Sequence, residues 1–267
     1  MRHTVSGEDY REDAGRTLRE IRIFGIKYDG NIKKGDNLAR ITIESLGKEG
    51  IKVEEGDIVT LTHVAVSKSI GCTIGFKQVK PSPLAVALAD RVRKPPEEVE
   101  IILRKSREVV RLVGSRIITR TKSGIVCANS GVDVSNVDGG LSMAFHPRNP
   151  DRVAKKIRRQ FLNEGVNVGV IITDSFDRPF RMGQVNMAIG CSGIAPIRDL
   201  RGSRDLYGYV LRFKRIAVVD ELAAASELVT GSSSEGIIGS LIKGYKYDFS
   251  ETGVKSILRP RKKDLFL

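Results

Sequence analysis

The hydrophobic and polar positions of the chain predict strands and helices that alternate from end to end. Two runs of aliphatic residues, 57–66 and 168–173, are typical of strands that are buried on both faces. Shorter strands are predicted at 22–26, 116–121, 125–128, 213–219 and 237–243. Because strands and helices interleave, the sequence predicts a mixed α/β (α+β) fold.

Apolar residues at helical spacing predict five helices. The first spans 37–46, and the second follows Ser82, with serine as the cap and Pro83 in the first turn. A third starts near Pro96 and carries an apolar stripe that runs from Val99 to Val110. A basic helix is predicted at 150–164, and an alanine-rich helix at 222–229 ends before Gly231.

Composition narrows the class of protein. The chain has 267 residues, of which 40% are hydrophobic and 29% charged, which is typical of a globular protein with one large or two closely packed domains. No apolar stretch approaches the ~20 residues of a membrane span, and the first 25 residues hold no signal-peptide core. We therefore expect a cytoplasmic protein without a membrane partner.

The net charge of +13 favours an anionic partner, such as nucleic acid, a nucleotide or a phosphorylated small molecule. The basic helix and the tail 259–263 are the best candidates for nucleic-acid contact. However, aromatic residues make up only 6% of the chain, and no RNA-binding motif is found. A basic nucleotide- or RNA-binding protein is therefore the alternative hypothesis, and nucleic acid is the less favoured partner.

Cysteine and histidine spacing argues against several kinds of site. The three cysteines are far apart, which excludes a disulfide framework, and Cys127 and Cys191 are interpreted as small buried hydrophobic residues. The three histidines show no metal-binding spacing. His63 lies within a predicted strand and is interpreted as a core histidine.

Two acidic loops follow apolar strands and could hold a metal ion. Asp133 lies in the loop 128–136, and Asp174 and Ser175 follow the strand 168–173. Carboxylates beside hydroxyl groups offer the hard oxygen ligands that Mg²⁺ and Mn²⁺ prefer. The same aspartates could instead stabilise turns, and the local sequence leaves both interpretations open.

Candidates for phosphate binding are weaker. The loop 231–236 has the glycine spacing of a Walker A loop but lacks the following Lys-Ser/Thr, so it is not a P-loop. Lys68 follows a buried strand, where it could meet a phosphate or simply face water. Five arginines at 178, 181, 198, 201 and 204 could bind an anion or form a solvated face.

Five ordered segments together resemble one family. They are GDIV…VSKSIG (56–71), CANSGVDVSNV (127–137), TDSFDRPFR (173–181), IRDLRG (197–202) and VDELAA (219–224). These segments are similar to those of the coenzyme F-420:L-glutamate ligase family, the F-420-0 gamma-glutamyl ligases. The resemblance covers residues 22–266 and leaves only a polar leader, 1–21, outside the ligase domain.

The resemblance implies a fold specific to that family, with two intertwined subdomains, and a homodimer. It also implies a GTP-dependent reaction in which the terminal carboxylate of F-420-0, an anionic phosphodiester, is phosphorylated. The amine of L-glutamate then attacks the acyl phosphate to form an amide bond. A divalent cation, Mg²⁺ or Mn²⁺, is implied as cofactor, together with K⁺. No catalytic residue is assigned.

Site residues follow from the resemblance by position. Asp133 and Asp174 would bind one cation, and Ser175 and Ser232 a second. GTP contacts would come from Asp29, Gly30, Asn31, Ile32, His63, Val64, Lys68, Asn136, Thr230, Gly231, Ser232, Ser233, Ser234, Glu235, Gly236 and Ile237. Ser232 stands where some family members carry an acid, so the second cation is expected either to bind weakly or to be bound by Glu235 instead.

Overall fold

A five-stranded mixed sheet forms the centre of the protein in the computed structural model, which describes residues 20–264. Its strands are β1 (Arg22–Lys27), β2 (Ile58–Thr62), β8 (Gly169–Arg178), β9 (Arg181–Ser192) and β12 (Ile237–Lys243). The spatial order is β1-β12-β2-β8-β9. Only β2 and β8 are parallel, and they pair from Ile58 and Gly169 to Thr62 and Thr173. The predicted leader lies outside the described residues except for Glu20 and Ile21.

Helices cover both faces of this sheet because its central strands alternate their side chains between two buried clusters. Helices α1 (Leu38–Lys48) and α5 (Pro150–Asn163) pack on one face, where Phe161 is fully buried. Helix α6 (Val218–Thr230) packs on the other face, with Leu222 against Ile171 of β8. Burial of a side chain such as Phe161 contributes about 1.5–3 kcal/mol to folding.

Residues 73–145 form most of a third buried cluster, which lies beside the sheet. Helices α3 (Pro83–Val92) and α4 (Pro96–Lys105) pack with a three-stranded sheet of β4 (Ser106–Val113), β5 (Arg116–Thr121) and β6 (Val126–Ala128). Two short antiparallel pairs complete the fold. They are β3 (Thr73–Gly75) with β7 (Ser142–Ala144), and β10 (Arg198–Asp199) with β11 (Arg215–Ile216).

The predicted starts of the helices near residues 37, 83 and 150 are confirmed. Asn37 accepts hydrogen bonds from the backbone N–H groups of residues 39 and 40, and Ser82 accepts one from Ala85. Asn149 caps α5, whose first residue is Pro150. These caps satisfy N–H groups that the helix itself leaves unpaired.

The predicted strand 57–66 is wrong in its second half. Strand β2 ends at Thr62, and the helix α2 (His63–Ile70) starts at the next residue. An apolar run of this length fits a buried strand or a buried helix equally well. Gly71, with a φ of 74°, ends α2 in the left-handed conformation that glycine tolerates best.

The structure also differs from the prediction for the helix after Pro96 and for the strand 213–219. The helix that starts at Pro96 stops at Lys105, and Val109 and Val110 lie in β4, whose residues alternate between half-buried and exposed. The predicted strand 213–219 is also wrong, since only Arg215 and Ile216 pair as a strand and α6 already begins at Val218. Asp220 and Glu221 in its first turn favour the helix because they oppose the positive end of the helix dipole.

Within residues 20–264, no helix is both long and apolar enough to cross a membrane.

Candidate functional site

A polar cavity of about 590 Å³ lies beyond the carboxyl ends of the parallel strands β2 and β8. We call it the site cavity. Residues at the ends of these strands and of α6, together with the loops 128–136 and 231–238, line its walls. In open α/β sheets, the carboxyl ends of parallel strands are the usual position for a ligand, because backbone and side chains of several elements converge there.

Asp174 connects two histidines beside this cavity. Its Oδ2 accepts a hydrogen bond from Nε2 of His146 at 2.7 Å, and its Oδ1 lies 3.4 Å from Nε2 of His63. The rings of His63 and His146 meet edge to face, with centroids 5.0 Å apart. One ligand atom from each of the three residues falls within 4.8 Å of the others, which is close enough for a shared metal ion.

Asp133 reaches the same imidazole from the opposite loop. Its Oδ2 lies 3.9 Å from Nε2 of His63, and its carboxylate accepts hydrogen bonds from the backbone and hydroxyl of Ser135. The backbone of Asp133 pairs with Ala144, which anchors the loop to β7. The aspartate therefore stabilises a turn and also faces the cavity, so the two interpretations of its sequence are compatible.

The loop before Asp133 has an unusual backbone that makes room for a histidine. Asn129, Ser130 and Gly131 all have positive φ values, between 52° and 64°. A Cβ atom at Gly131 would lie only 2.1 Å from Cε1 of His146. Glycine at 131 is therefore required for the close approach of the loop to the His146 ring.

The charges of this cluster support one another. Burial disfavours ionisation of Asp174, but the nearby His63 and His146 outweigh it and lower its pKa to about 2. Burial also opposes ionisation of Asp133, and contacts with His63 and Ser135 hold its pKa below the usual value. Both carboxylates are therefore anionic near neutral pH and can act as cation ligands.

The first turn of α2 forms part of the cavity wall. His63, Val64 and Ala65 line it, and the preceding Thr62 makes no side-chain hydrogen bond to cap the helix. Lys68, one turn further, donates a hydrogen bond to the carbonyl of Val137 at 2.9 Å. Uncapped N–H groups at a helix N-terminus, together with a lysine, form an environment that favours phosphate oxygens.

A third carboxylate, from Glu227 of α6, bonds to three residues that line the opposite wall of the cavity. Its Oε1 accepts hydrogen bonds from the hydroxyls of Ser175 at 3.4 Å and Ser232 at 3.3 Å. Its Oε2 accepts the backbone N–H of Asn186 at 2.7 Å, and the Ser175 hydroxyl also bonds to the Asn186 side chain. Glu227 therefore joins the two hydroxyl groups expected at a second cation.

Glu235 has a different position. Its carboxylate accepts the backbone N–H of Ser233 and packs against Gly231, so it folds back onto its own loop. In this conformation the expected acid for the second cation is Glu227 rather than Glu235. The reason is that α6 aims Glu227 at both hydroxyls, whereas the loop aims Glu235 at its own backbone.

The structure brings most of the expected site residues to one cavity. The four residues expected at cations, Asp133, Asp174, Ser175 and Ser232, all line it. So do thirteen residues expected at GTP: Gly30, Ile32, His63, Val64, Lys68, Asn136, Thr230, Gly231, Ser232, Ser233, Glu235, Gly236 and Ile237. Asp29, Asn31 and Ser234 are exposed and do not line it.

Two interpretations of the sequence can be compared with the positions of the histidines and arginines in the fold. Histidine spacing argued against a histidine–metal cluster, yet His63 and His146 come from separate elements and meet only through the fold. None of the five arginines lines the site cavity. Two of them bond to carbonyls of their own segments, Arg178 to Met182 and Arg204 to Gly208.

Sequence reasoning missed His146, Asn186 and Glu227. Each lies outside the acidic loops, and Glu227 lies in α6 beyond the VDELAA segment. The two cysteines agree with their interpretation as hydrophobic residues, because burial raises the pKa of Cys191 to about 12 and also raises that of Cys127.

The donor groups fit the cations that the resemblance implied. The carboxylates of Asp133 and Asp174 could hold one divalent cation, with the histidine nitrogens close by. Ser175, Ser232 and Glu227 could hold a second, because their oxygens already converge on one carboxylate oxygen of Glu227. Such hard oxygen donors suit Mg²⁺ or Mn²⁺.

The fold and the cavity together define a mixed α/β protein whose candidate site combines carboxylates, hydroxyl groups and a helix N-terminus. The family model described as F420-0:Gamma-glutamyl ligase matches residues 25–244, and the chain belongs to this family. The coenzyme F420:L-glutamate ligase of Methanothermobacter thermautotrophicus is 43% identical over 249 residues, which are 92% of this chain and 98% of the relative.

Two further relatives carry the same name. The protein of Methanopyrus kandleri is 41% identical over 255 residues, covering 93% of this chain and 98% of the relative. That of Methanocaldococcus jannaschii is 41% identical over 215 residues, covering 80% of this chain and 86% of the relative. The similarity therefore covers at least 80% of this chain in each comparison, and the family match at 25–244 includes every residue that lines the site cavity.

Proposed function

We propose that this protein is a GTP-dependent ligase that joins L-glutamate to F420-0 through a γ-glutamyl type of amide bond. Family membership supports the ligase class and the acceptor. The observation that carries the proposal is the convergence of four distant segments, around Lys68, Asp133, Asp174 and Ser232, on one cavity.

The chemistry of amide formation explains why such a site is suitable. A carboxylate oxygen of F420-0 attacks the γ-phosphorus of GTP, GDP leaves, and an acyl phosphate forms. The amine nitrogen of glutamate then attacks the acyl carbon, inorganic phosphate leaves, and the nitrogen loses a proton. Both steps bring anions together, so cationic groups and positioned N–H donors lower the barrier.

The residues of the cavity can be given separate roles. The N–H groups at His63 and Val64 and the ammonium of Lys68 would hold phosphate oxygens. Asp133 and Asp174 would hold a divalent cation that neutralises phosphate charge when bound. A bound K⁺ remains a prediction from the resemblance alone.

The second cation site would depend on Glu227. Its carboxylate is the negative group nearest to the hydroxyls of Ser175 and Ser232, and neutral hydroxyls alone bind a hard dication weakly. We therefore assign to Glu227 the role that was expected for Glu235. In this assignment Ser232 stays a ligand, and the family's acid at that position is replaced by a carboxylate from α6.

A homodimer is the second part of the proposal. The tip of the β8–β9 hairpin and the segment 199–214 carry large apolar side chains that lie almost entirely in solvent. Met182 is 97% exposed, Leu206 91% and Phe213 87%. Exposed apolar surface of this extent marks a contact surface, and a second copy of the chain is the partner that the family resemblance supplies.

The proposal is tested by incubating the purified protein with F420-0, L-glutamate, GTP and Mn²⁺, followed by mass analysis of the products. We expect an increase in mass that corresponds to one or more glutamates, and release of GDP. Parallel reactions without Mn²⁺ and with ATP in place of GTP test the cation and the nucleotide. Unchanged F420-0 under all conditions would refute the ligase function.

The alternative, a nucleic-acid-binding protein, differs in its dependence on ions. Binding of RNA would weaken as salt rises and would not require a divalent cation. A ligase would bind GTP more tightly with Mn²⁺ and lose this effect when Asp133 or Asp174 is replaced. The paired carboxylates favour the ligase, because they would repel a phosphate backbone.

A further inference from the structure

A second cavity, of about 920 Å³, lies where the β5–β6 hairpin, the start of α5 and the C-terminal segment meet. We call it the basic cavity. Six cationic side chains line it without an ion pair to any described residue: Arg107, Lys122, Arg148, Arg152, Lys255 and Arg259. The basic tail that the sequence singled out contributes Arg259 and Arg261 to this cavity.

The two carboxylates of the basic cavity are already engaged. Glu108 pairs with Arg120 at 2.9 Å and with Arg261 at 3.3 Å. Asp151 accepts backbone N–H groups of Cys191, Val254 and Lys255. The charge of the six other cations is therefore not neutralised from within the cavity, and an anion would be strongly attracted.

Arg120 supplies an independent indication of a ligand. Its side chain is only 13% exposed, and its Nε donates to Glu108. Its Nη2, however, is buried and has no hydrogen-bond partner among the described residues. A buried donor without an acceptor is costly, so an oxygen of a bound anion would be stabilising there.

The basic cavity is next to the site cavity. Ile125 lines the basic cavity and Ala128 lines the site cavity, and these residues are joined by β6, in which three residues span about 10 Å. A second connection is equally short, since Arg148 lines the basic cavity and His146 contacts Asp174. The two cavities are therefore separated by only a few residues along two segments of the chain.

We propose that the basic cavity binds the anionic part of the acceptor whose carboxylate reacts in the site cavity. This inference rests on the proposed ligase function. Joining glutamate through its amine leaves both carboxylates of the new residue free, so the product is more anionic than the acceptor. Carboxylate or phosphate oxygens of the acceptor would pair with Lys122, Arg152 and Arg259, and with Nη2 of Arg120. A cavity of about 920 Å³ suits such a small polyanion better than it suits a nucleic-acid helix.

The test uses two triple variants with the same change in charge. In the cavity variant, Lys122, Arg152 and Arg259 are replaced by glutamine. In the control variant, Arg91, Lys156 and Arg159 are replaced by glutamine; these residues are exposed and line neither of the two cavities. All six side chains lack ion pairs to described residues, so both variants should fold, and thermal unfolding checks this.

Binding of F420-0 is measured by calorimetry without GTP, at about 0.1 M salt. We expect the cavity variant to bind F420-0 about tenfold more weakly than wild type. Each of the three lost ion pairs weakens binding by less than about tenfold, and together they account for this decrease. The control variant should stay within about twofold. Affinity for GTP with Mn²⁺, measured separately, should be the same in all three proteins.

Other results would overturn the inference. Equal weakening in both variants would indicate only a general effect of net charge, and no weakening in either would place the acceptor elsewhere. Loss of binding to a single-stranded RNA oligonucleotide, with F420-0 binding retained, would assign the cavity to nucleic acid. Failure of wild type to bind F420-0 would also refute it.

The same binding assay distinguishes carboxylate from phosphate as the recognised group. It also allows the ligase function and the role of the basic cavity to be tested separately. If the cavity recognises glutamyl carboxylates, the mono-glutamylated product should bind wild type more tightly than F420-0 does, and it should lose more affinity in the cavity variant. If the cavity recognises phosphate, the cavity variant should lose the same affinity for both compounds. Wild type that binds F420-0 but forms no amide with GTP would refute the ligase function and leave the cavity to be judged by binding.

Discussion

Replacement of Gly131 by alanine should destabilise the protein through one defined clash. The new Cβ would lie 2.1 Å from Cε1, 2.2 Å from Nε2 and 2.4 Å from Nδ1 of His146. Non-bonded carbon atoms prefer about 3.5–4.0 Å, so the ring must move by more than 1 Å or the loop must deform. Either movement breaks the 2.7 Å hydrogen bond from His146 to the ionised Asp174.

The expected cost has two parts. Losing a hydrogen bond to a charged group costs about 1.5–3 kcal/mol. Alanine at a φ of 64° adds about 1 kcal/mol of backbone strain. The sum predicts that Gly131→Ala lowers the free energy of unfolding by about 2.5–4 kcal/mol.

Gly139 offers a matched control in the same loop region. Its φ is 75°, but a Cβ atom there would meet no atom within 4 Å. Gly139→Ala should therefore cost only the strain, about 1 kcal/mol. Urea unfolding followed by circular dichroism at pH 7 measures both variants, and a third measurement places Gly131→Ala in a His146→Ala background, where the clash is absent.

The reasoning would be refuted if Gly131→Ala and Gly139→Ala were equally destabilising. It would also be refuted if Gly131→Ala cost as much in the His146→Ala background as in wild type. Both results would mean that backbone strain, and not contact with His146, explains the glycine. The cycle is informative because the added methyl group and the His146 ring are present together only in the single Gly131→Ala variant.

Three further predictions concern the proposed reaction. Asp133→Asn should lower kcat about a hundredfold or more, because a charged cation ligand is lost, while the circular dichroism spectrum stays unchanged. A wild-type rate at all Mn²⁺ concentrations would mean that Asp133 only stabilises a turn. Glu227→Gln should raise about tenfold the Mn²⁺ concentration needed for half-maximal binding, whereas Glu235→Gln should leave it unchanged. Electron paramagnetic resonance measures Mn²⁺ binding in both variants, and the reverse pattern would identify Glu235 as the ligand. Phe213→Asp should shift the sedimentation of the protein from dimer to monomer without lowering its melting temperature, and an unchanged dimer would exclude this surface.

Local patterns in the sequence were sufficient for most helices and for the buried strands. Asn37, Ser82 and Asn149 cap helices because the chemistry of a cap involves only the next three or four residues. The strand 237–243 was predicted with the bounds of β12, since an aliphatic run between a glycine-containing loop and a turn has few alternatives.

The predicted ends of strands and helices were less accurate where a tertiary contact determines the end. Strand β8 extends to Arg178, beyond the predicted end at Thr173, because β9 pairs with it along a hairpin that leaves the core. The whole of β9 was missed, although it pairs with β8 from Val170 to Arg178. Its N-terminal part is polar and exposed, so hydrophobic periodicity gives no signal there.

The candidate site likewise has residues that the local sequence reveals and residues that only the tertiary structure reveals. Asp133, Asp174 and Lys68 could be recognised from the sequence because each lies in a motif of neighbouring residues. His146 and Glu227 could not, since they contact residues of the cavity from other segments of the chain: His146 lies 28 residues from Asp174, and Glu227 lies 52 residues from Ser175. Only packing of α6 and of the 129–131 loop against the sheet brings their side chains to these residues. Hydrogen bonds and charge pairing act over a few ångströms of space, regardless of separation along the chain, so this part of the site was decided by the tertiary structure.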